Sequence, residues 1–442
     1  MPEPYYKTDD VELYVGDCLD VLRQMPDASV DACVTDPPAG IRFMGKDWDS
    51  DKGGRDQWVA WLADVMREVH RVLKPGGHAL VWALPRTSHW TATALEDAGL
   101  EIRDCIVHIF GSGFPKSLDV SKAIDKAAGV TREVVGNTAQ FSGRTIGRGT
   151  SAWFRGGLIS GYCRDITIPA TEEAARWEGW GTALKPGQEH WWLCRRPLDG
   201  TVAANVLEHG TGALNIDASR VPLGGERPPT GSGDRRGSQV YAQDEWTRTR
   251  MSNGGNVTPA AGRWPTNLVF SHSAGCVEDG PCQPDCPVAE LDRQSGVRPG
   301  SHSQRDLNAY TDRNKVYSKG VGNVPTGERA GFNDIGGASR FFPVFRYEAK
   351  APNSERPKLD DGTAHPTVKS VSLTSWLVRL VTPPGGVVLD PFAGSGTTGE
   401  AAVIEGFRAV LIELDPTHAE LIKARLSKPL QPTLFSEVSD GD

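Results

Sequence analysis

Two short motifs at opposite ends of the chain bound what it can fold into. Asp36-Pro37-Pro38-Ala39-Gly40 follows directly on the apolar run Ala32-Cys33-Val34-Thr35. Asp390-Pro391-Phe392-Ala393-Gly394-Ser395-Gly396-Thr397-Thr398-Gly399 follows on Val387-Val388-Leu389. Each reads as a buried strand that ends in a tight polar loop. Open α/β sheets place ligands and chemistry outside the C-terminal ends of their strands. The two ends of the sequence are therefore expected to meet at one edge of a single sheet.

The pattern between the motifs supports this. Val11–Val15 alternates, Gly16-Asp17 turns, Cys18–Gln24 suits a short helix, and Val30–Thr35 is a buried strand. Residues 57–73 carry Trp58, Trp61, Leu62, Val65, Val69 and Leu73 near a 3.6 period, and Lys74-Pro75-Gly76-Gly77 stops that helix. A strand at 78–82, a helix at 91–98 ended by Gly99 and a strand at 102–110 follow. Strands alternating with helices predict a parallel sheet. The pattern weakens after about 130 and returns at about 340, with a helix at 370–380, strands at 386–389 and 408–412, and a last helix at 417–426. Segments 222–262 and 293–335 are rich in Gly, Arg, Ser, Asn and Pro and read as mobile loops or segments ordered by DNA.

Composition excludes several classes. No apolar run is long enough to span a bilayer. The polar start Met1–Tyr6 lacks the layout of a secretory signal. A cytoplasmic protein without membrane contact is expected. Eight cysteines in 442 residues are no disulfide scaffold. The net charge of −8 argues against broad polyanion binding, but from Thr131 to Gly262 every lysine or arginine is arginine except Lys185. Arginine forks suit phosphates and guanine edges.

The glycines of Asp390–Gly399 let backbone approach a ligand and leave the N–H groups of a helix N-terminus free. Glu413 closes the next strand, Ala409-Val410-Leu411-Ile412, roughly twenty residues after Asp390, the place of a carboxylate that holds ribose hydroxyls. Asp36 has its own physical case. An exocyclic amine on a base is a poor nucleophile because its lone pair is delocalised into the ring. A carboxylate accepting one N–H, beside a carbonyl held rigid by Pro37 and Pro38, pulls that nitrogen toward tetrahedral geometry.

The form Asp-Pro-Phe-Ala-Gly-Ser-Gly-Thr-Thr resembles DNA amino-methyltransferases, which use S-adenosylmethionine. His365-Pro366-Thr367-Val368-Lys369, Tyr14–Leu19 and the Asp-Pro-Pro loop complete four motifs in the order of the permuted β class. They span roughly 1–125 and 340–430. Leu184-Lys185-Pro186, Arg195–Leu198 and Gly337–Phe342 are similar to a phage and prophage branch of that family. The resemblance implies an α/β, Rossmann-like S-adenosylmethionine-dependent methyltransferase sheet, circularly permuted, with a large middle insertion as target recognition region. Residues 1–130 would be the catalytic half, 131–339 the insertion, 340–430 the cofactor-binding half and 431–442 a tail.

It also implies roles. Asp36, Pro37, Pro38 and Ala39 would be catalytic. Asp17, Cys18, Leu19, Thr367, Lys369, Asp390, Pro391, Phe392, Gly394, Ser395, Gly396, Thr397, Thr398, Glu413 and Leu414 would bind the cofactor, with Asp17 at the adenine and Thr367 and Lys369 near the methionine end. The family carries an aromatic where this chain has Ala39. Phe43 and Trp48 are the nearest candidates to stack on a flipped base in its place. Double-stranded DNA is the implied partner, and a homodimer is left open. The expected reaction is methylation of adenine N6, because this family opens the loop with Asp mainly in adenine enzymes. Cytosine N4 is the alternative. A protein or RNA amino-methyltransferase, or a catalytically weak DNA-binding homologue, stays open behind it.

The insertion holds His272, Cys276, Cys282 and Cys286, with polar, Gly and Pro residues between them. Four soft ligands in a segment without a core suit a structural zinc. Pro281-Cys282-Gln283 mimics the nucleophile motif of cytosine-C5 methyltransferases. It lies far from any strand-end loop and would leave Asp36 without a role, so the metal reading is preferred.

Overall fold

The computed structural model describes residues 3–42, 45, 47–111, 117–137, 165–222, 262–273, 276, 282–283, 286–299, 335–345, 359, 362, 365 and 367–428. In chain order the strands are β1 Tyr6–Lys7, β2 Val11–Val15, β3 Val30–Thr35, β4 Leu73–Ala83, β5 Glu101–Ile109, β6 Val134–Asn137, β7 Asp165–Thr167, β8 Gln188–Arg195, β9 Leu268–Ser271, β10 Arg298–Pro299, β11 Ile335–Gly336, β12 Val344–Phe345, β13 Val387–Asp390 and β14 Arg408–Glu413. Ten of them form one sheet in the order β1-β2-β14-β13-β3-β4-β8-β5-β9-β12. The last two strands of the chain thus sit between β2 and β3, and the N-terminal and C-terminal motif strands β3 and β13 are direct parallel neighbours. This is the circularly permuted α/β sheet that the motif order predicts.

Strict alternation along the strands builds two cores. Cys33, Leu389, Val410 and Ile412 face one side, under helices Cys18–Leu22, Arg55–Val72 and Ser88–Asp97. Ala32, Val34, Val388, Ala409 and Leu411 face the other, under helices Val371–Val381, Thr397–Ile404 and Pro416–Leu426. Adjacent residues of one strand point to opposite faces, so a strand buried on both sides reads as a continuous apolar run. The helix Arg55–Val72 buries Trp58, Leu62, Val65, Met66 and Val69. Each such side chain contributes roughly 1.5–3 kcal/mol by leaving water.

Four expectations need correction. The sheet is mixed, not parallel: β1 runs antiparallel to β2, and β8 antiparallel to both β4 and β5. The helix Ser88–Asp97 carries the chain past the slot beside β4, and β8 returns through that slot in the opposite direction. β8 and β9 belong to the sheet although they lie in the stretch where the alternation fades. Lys74-Pro75-Gly76-Gly77 does end the helix, but it already belongs to β4, with Leu73 opposite Val30 and an irregularity in the pairing where Gly76 takes φ +76°. Of the segments read as mobile, Arg293–Ser295 ends a helix that starts at Pro287, and β10 pairs with β11. Most of 222–262 and 293–335 lies outside the described residues. Among the described residues no helix is long and apolar enough to cross a membrane.

Candidate active site

β2, β3, β4, β13 and β14 all point their C-terminal ends to one edge of the sheet. A cavity of about 1000 Å³ opens there. Its walls include Asp36–Ala39 from the end of β3, Asp390–Ser395, Thr397 and Thr398 from the end of β13, and Glu413 and Leu414 from the end of β14. Asp17 and Cys18 follow β2, and Thr367 and Lys369 precede the helix Val371–Val381. Among the predicted cofactor residues, Leu19 and Gly396 stand apart from the walls. Leu19 packs on the core beneath, and Gly396 turns the chain into the helix Thr397–Ile404 with φ +77°.

The loop after β13 is shaped for close approach. Gly394 has φ +54°, and a Cβ there would lie 3.3 Å from His365 Nε2. Gly394 N donates to Glu413 Oε2 at 2.7 Å and Asp415 N donates to Glu413 Oε1 at 2.9 Å. Each carboxylate oxygen keeps a further lone pair for a ligand hydroxyl. Arg425 is buried behind the loop. It donates to Ser395 O at 3.2 Å and to Thr397 Oγ1 at 3.1 Å, and it pairs with Glu400. Asp390 accepts from Thr35 Oγ1 at 2.6 Å and from Phe392 N at 3.1 Å. Burial nevertheless pushes its carboxyl up to about 6.

The reaction side is a charged cluster. Lys369 Nζ lies 3.3 Å from Asp36 Oδ2 and 3.4 Å from Glu189 Oε2, and sits 3.8 Å above the centre of the Trp82 ring. Burial raises the Asp36 carboxyl above the ordinary range; Lys369 opposes this and the Glu189 charge adds to it. Burial also works to raise Glu189, but Lys369, His108 and Trp82 overcome it and hold Glu189 well below the usual carboxylate range. Trp82 Nε1 donates to Glu189 Oε2 at 2.8 Å, and His108 Nδ1 lies 2.9 Å from Glu189 Oε1. His108 Nε2 in turn meets Ser271 Oγ at 2.7 Å.

Glu189 and Trp82 were missed by sequence reasoning, as was Trp191, which lines the cavity with its ring centre 5.9 Å from Lys369 Nζ. Glu189 is the second residue of β8, and only the antiparallel course of β8 brings a strand's start to the edge where its neighbours end. The signal available was the aromatic run His190-Trp191-Trp192-Leu193, which suits a strand. Trp48 lines the cavity from the turn Asp47–Asp49. Asp49 ties that turn to the Asp36 loop, its carboxylate accepting from Gly40 N at 2.9 Å and its carbonyl from Arg42 N at 2.6 Å. Phe43 lies outside the described residues.

A second cluster sits at the end of β9. The ligand atoms of His272, Cys276, Cys282 and Cys286 all lie within 4.8 Å of one another. His272 directly follows β9, and buried Cys286 is the N-cap of the helix Pro287–Ser295. His272 Nδ1 is 3.4 Å from the Sγ atoms of both Cys282 and Cys286. Four soft ligands at this spacing fit a closed tetrahedral site.

The family model described as DNA methylase, of the N6 and N4 type, matches residues 30–120 and 301–424, which contain both motif loops. The match takes in just under half of the chain, at its two ends, and likens it to the N6/N4 DNA methylase family. It is 33% identical over 113 residues to the type II methyltransferase M.BamHI of Bacillus amyloliquefaciens, covering 26% of each chain. It is 39% identical over 75 residues to M.ScaI of Streptomyces caespitosus, covering 17% of this chain and 23% of that one. It is 37% identical over 68 residues to the DNA adenine methyltransferase YhdJ of Escherichia coli K12, covering 15% and 23%. The matched stretch is thus about a quarter of the length of these relatives.

Proposed function

We propose that this protein is an N6/N4-type DNA methylase, one that transfers the methyl group of S-adenosylmethionine to the exocyclic N6 of adenine in double-stranded DNA. One observation carries the reading: the Asp36-Pro37-Pro38 loop and the glycine loop after β13 face one cavity, although they are more than 350 positions apart in sequence. The bound cofactor supplies an electrophilic methyl group. Glu413 would hold the ribose, Asp17 the adenine end, and Thr367 and Lys369 the methionine end. Lys369 beside Asp36 puts that end next to the acceptor.

Asp36 accepts a hydrogen bond from the target amine, and the carbonyl held by Pro37 and Pro38 accepts another. The nitrogen lone pair would be freed from the ring and aimed at the methyl group, with the neutral thioether as leaving group, and the methylated nitrogen would give up its surplus proton by way of Asp36 to solvent. Trp48 offers a face for the flipped base where Ala39 has none. Three of the matching relatives are named type II methyltransferases and one, YhdJ, a DNA adenine methyltransferase, which favours DNA over protein or RNA as substrate. Leu184–Pro186 and Arg195–Leu198 support the further likeness to the phage and prophage branch. At the end of β9 we propose a structural zinc, which would tie the segment 272–286 to the sheet edge.

The adenine assignment rests on Asp36 opening the loop, and on a pocket that Ala39 leaves roomy for a purine. Nucleoside analysis of DNA methylated with labelled cofactor tests it. Label in 6-methyladenine is expected. Label in 4-methylcytosine alone would move the target to cytosine.

A further inference from the structure

Leu184 is 93% exposed, yet it lines the active cavity together with Ala183 and Pro186. A leucine so placed gains nothing from the fold of the chain itself. The segment that carries it is nevertheless held firmly. On one side Gly181 bridges to Asp119, Thr182 N donates to Ser117 Oγ at 2.9 Å, and Leu118 N donates to Thr182 Oγ1 at 3.0 Å. On the other, Phe110 N donates to Gly187 O at 3.0 Å, just before β8 begins. Leu184-Lys185-Pro186 is the prong between these two fastenings, and Pro186 restricts its backbone further. Exposed Lys185 stands on the prong, and Lys52 and Arg86 stand on the cavity wall, a charge pattern that suits nucleic acid phosphates.

We propose that Leu184 is a wedge that enters the DNA base stack at the place left by the target nucleotide when that nucleotide turns into the cavity. The proposal rests on the DNA reading above. Extruding a paired base exposes its stacked neighbours and orphans its partner. An apolar side chain at the cavity mouth replaces the lost stacking, as wedge residues do in other DNA-bending proteins. The rigid prong matters because a wedge on a slack loop would lose more entropy on insertion.

The test compares two duplexes of the same site, once long-read sequencing of DNA from expressing cells has given that site. One duplex is fully paired, and the other has an abasic position opposite the target base, which removes most of the cost of extrusion. Leu184→Ala is expected to lower kcat/KM on the paired duplex by roughly 10-fold or more. On the abasic duplex it should come within about 3-fold of wild type, with unchanged cofactor affinity. 2-Aminopurine at the target should brighten with wild type and less so with the variant. An equal loss on both duplexes, or no loss on the paired one, would overturn the wedge. Wild-type protein that methylates neither duplex would overturn the DNA reading itself, a separate and distinguishable result.

Discussion

Lys369 Nζ stands 3.3 Å from Asp36 Oδ2, and it is held there from the far side by Glu189 at 3.4 Å. One cation is shared by two carboxylates, so Asp36 is only partly neutralised. An Asp36 fully paired with Lys369 would be a poor acceptor for an amine N–H. Glu189, fixed by Trp82 and His108, competes for the lysine and keeps Asp36 available.

Glu189→Gln should therefore reduce methyl transfer and move the acidic limb of its pH profile downward. The sign follows from charge: removing a neighbouring negative charge lowers the Asp36 pKa. Cofactor affinity should change little. The pH dependence of kcat/KM measures this, and a limb that stays in place or moves up would contradict it.

In the wild type the same limb should lie above the ordinary carboxylate range of about 4, because burial raises Asp36 and activity needs its ionised form. Activity is then lost as pH falls through that raised value. A profile flat down to pH 4 would remove Asp36 from the rate-determining chemistry.

Gly394→Val should weaken cofactor binding by roughly 10-fold or more, since the residue has φ +54° and a Cβ would press on His365. Glu413→Ala should do the same, because it removes the acceptor for Gly394 N and Asp415 N as well as the ribose ligand. Calorimetry with S-adenosylmethionine reads both. Unchanged affinity in both variants would contradict the assignment.

Asp390 predicts a stability change with pH. Its folded pKa of about 6 lies above the unfolded value of 3.8, so the folded state binds more protons between them. Its stabilising contribution is complete below the lower value and is lost as pH rises through the upper one, a swing of about 3 kcal/mol. The gap in stability between wild type and Asp390→Asn, followed by denaturant unfolding from pH 4 to pH 8, should shift in favour of the variant as pH rises. A constant gap would contradict the buried, ionising carboxyl.

Elemental analysis should find about one zinc per chain, and Cys286→Ser should lose it and lower Tm by roughly 5 °C or more. Metal-free protein with unchanged Tm would contradict the zinc proposal.

The two strand-end loops were legible because each is a local event: an apolar run, then residues that only a tight, ligand-facing turn requires. Their meeting followed from the rule that parallel strands gather their C-terminal ends. Glu189 was not legible, because its place depends on β8 running backward between β4 and β5, a register set by packing and not by local pattern. The convergence of His272, Cys276, Cys282 and Cys286 was legible from ligand chemistry alone. Leu184 could be read only as part of a family-like tripeptide; its exposure at the cavity mouth depends on hydrogen bonds to Ser117 and Phe110, far away in sequence. Arg425 was hidden for the same reason: the loop it braces lies about thirty residues earlier.

The most direct test of the central claim separates binding from transfer at Asp36. Asp36→Ala, loaded with labelled S-adenosylmethionine and mixed with DNA in a single turnover, should bind the cofactor within about 3-fold of wild type. It should transfer methyl to DNA slower by roughly 10²–10⁴-fold. Transfer by Asp36→Ala at the wild-type rate would show that this carboxylate does not act on the acceptor amine, and the account of the site would fail.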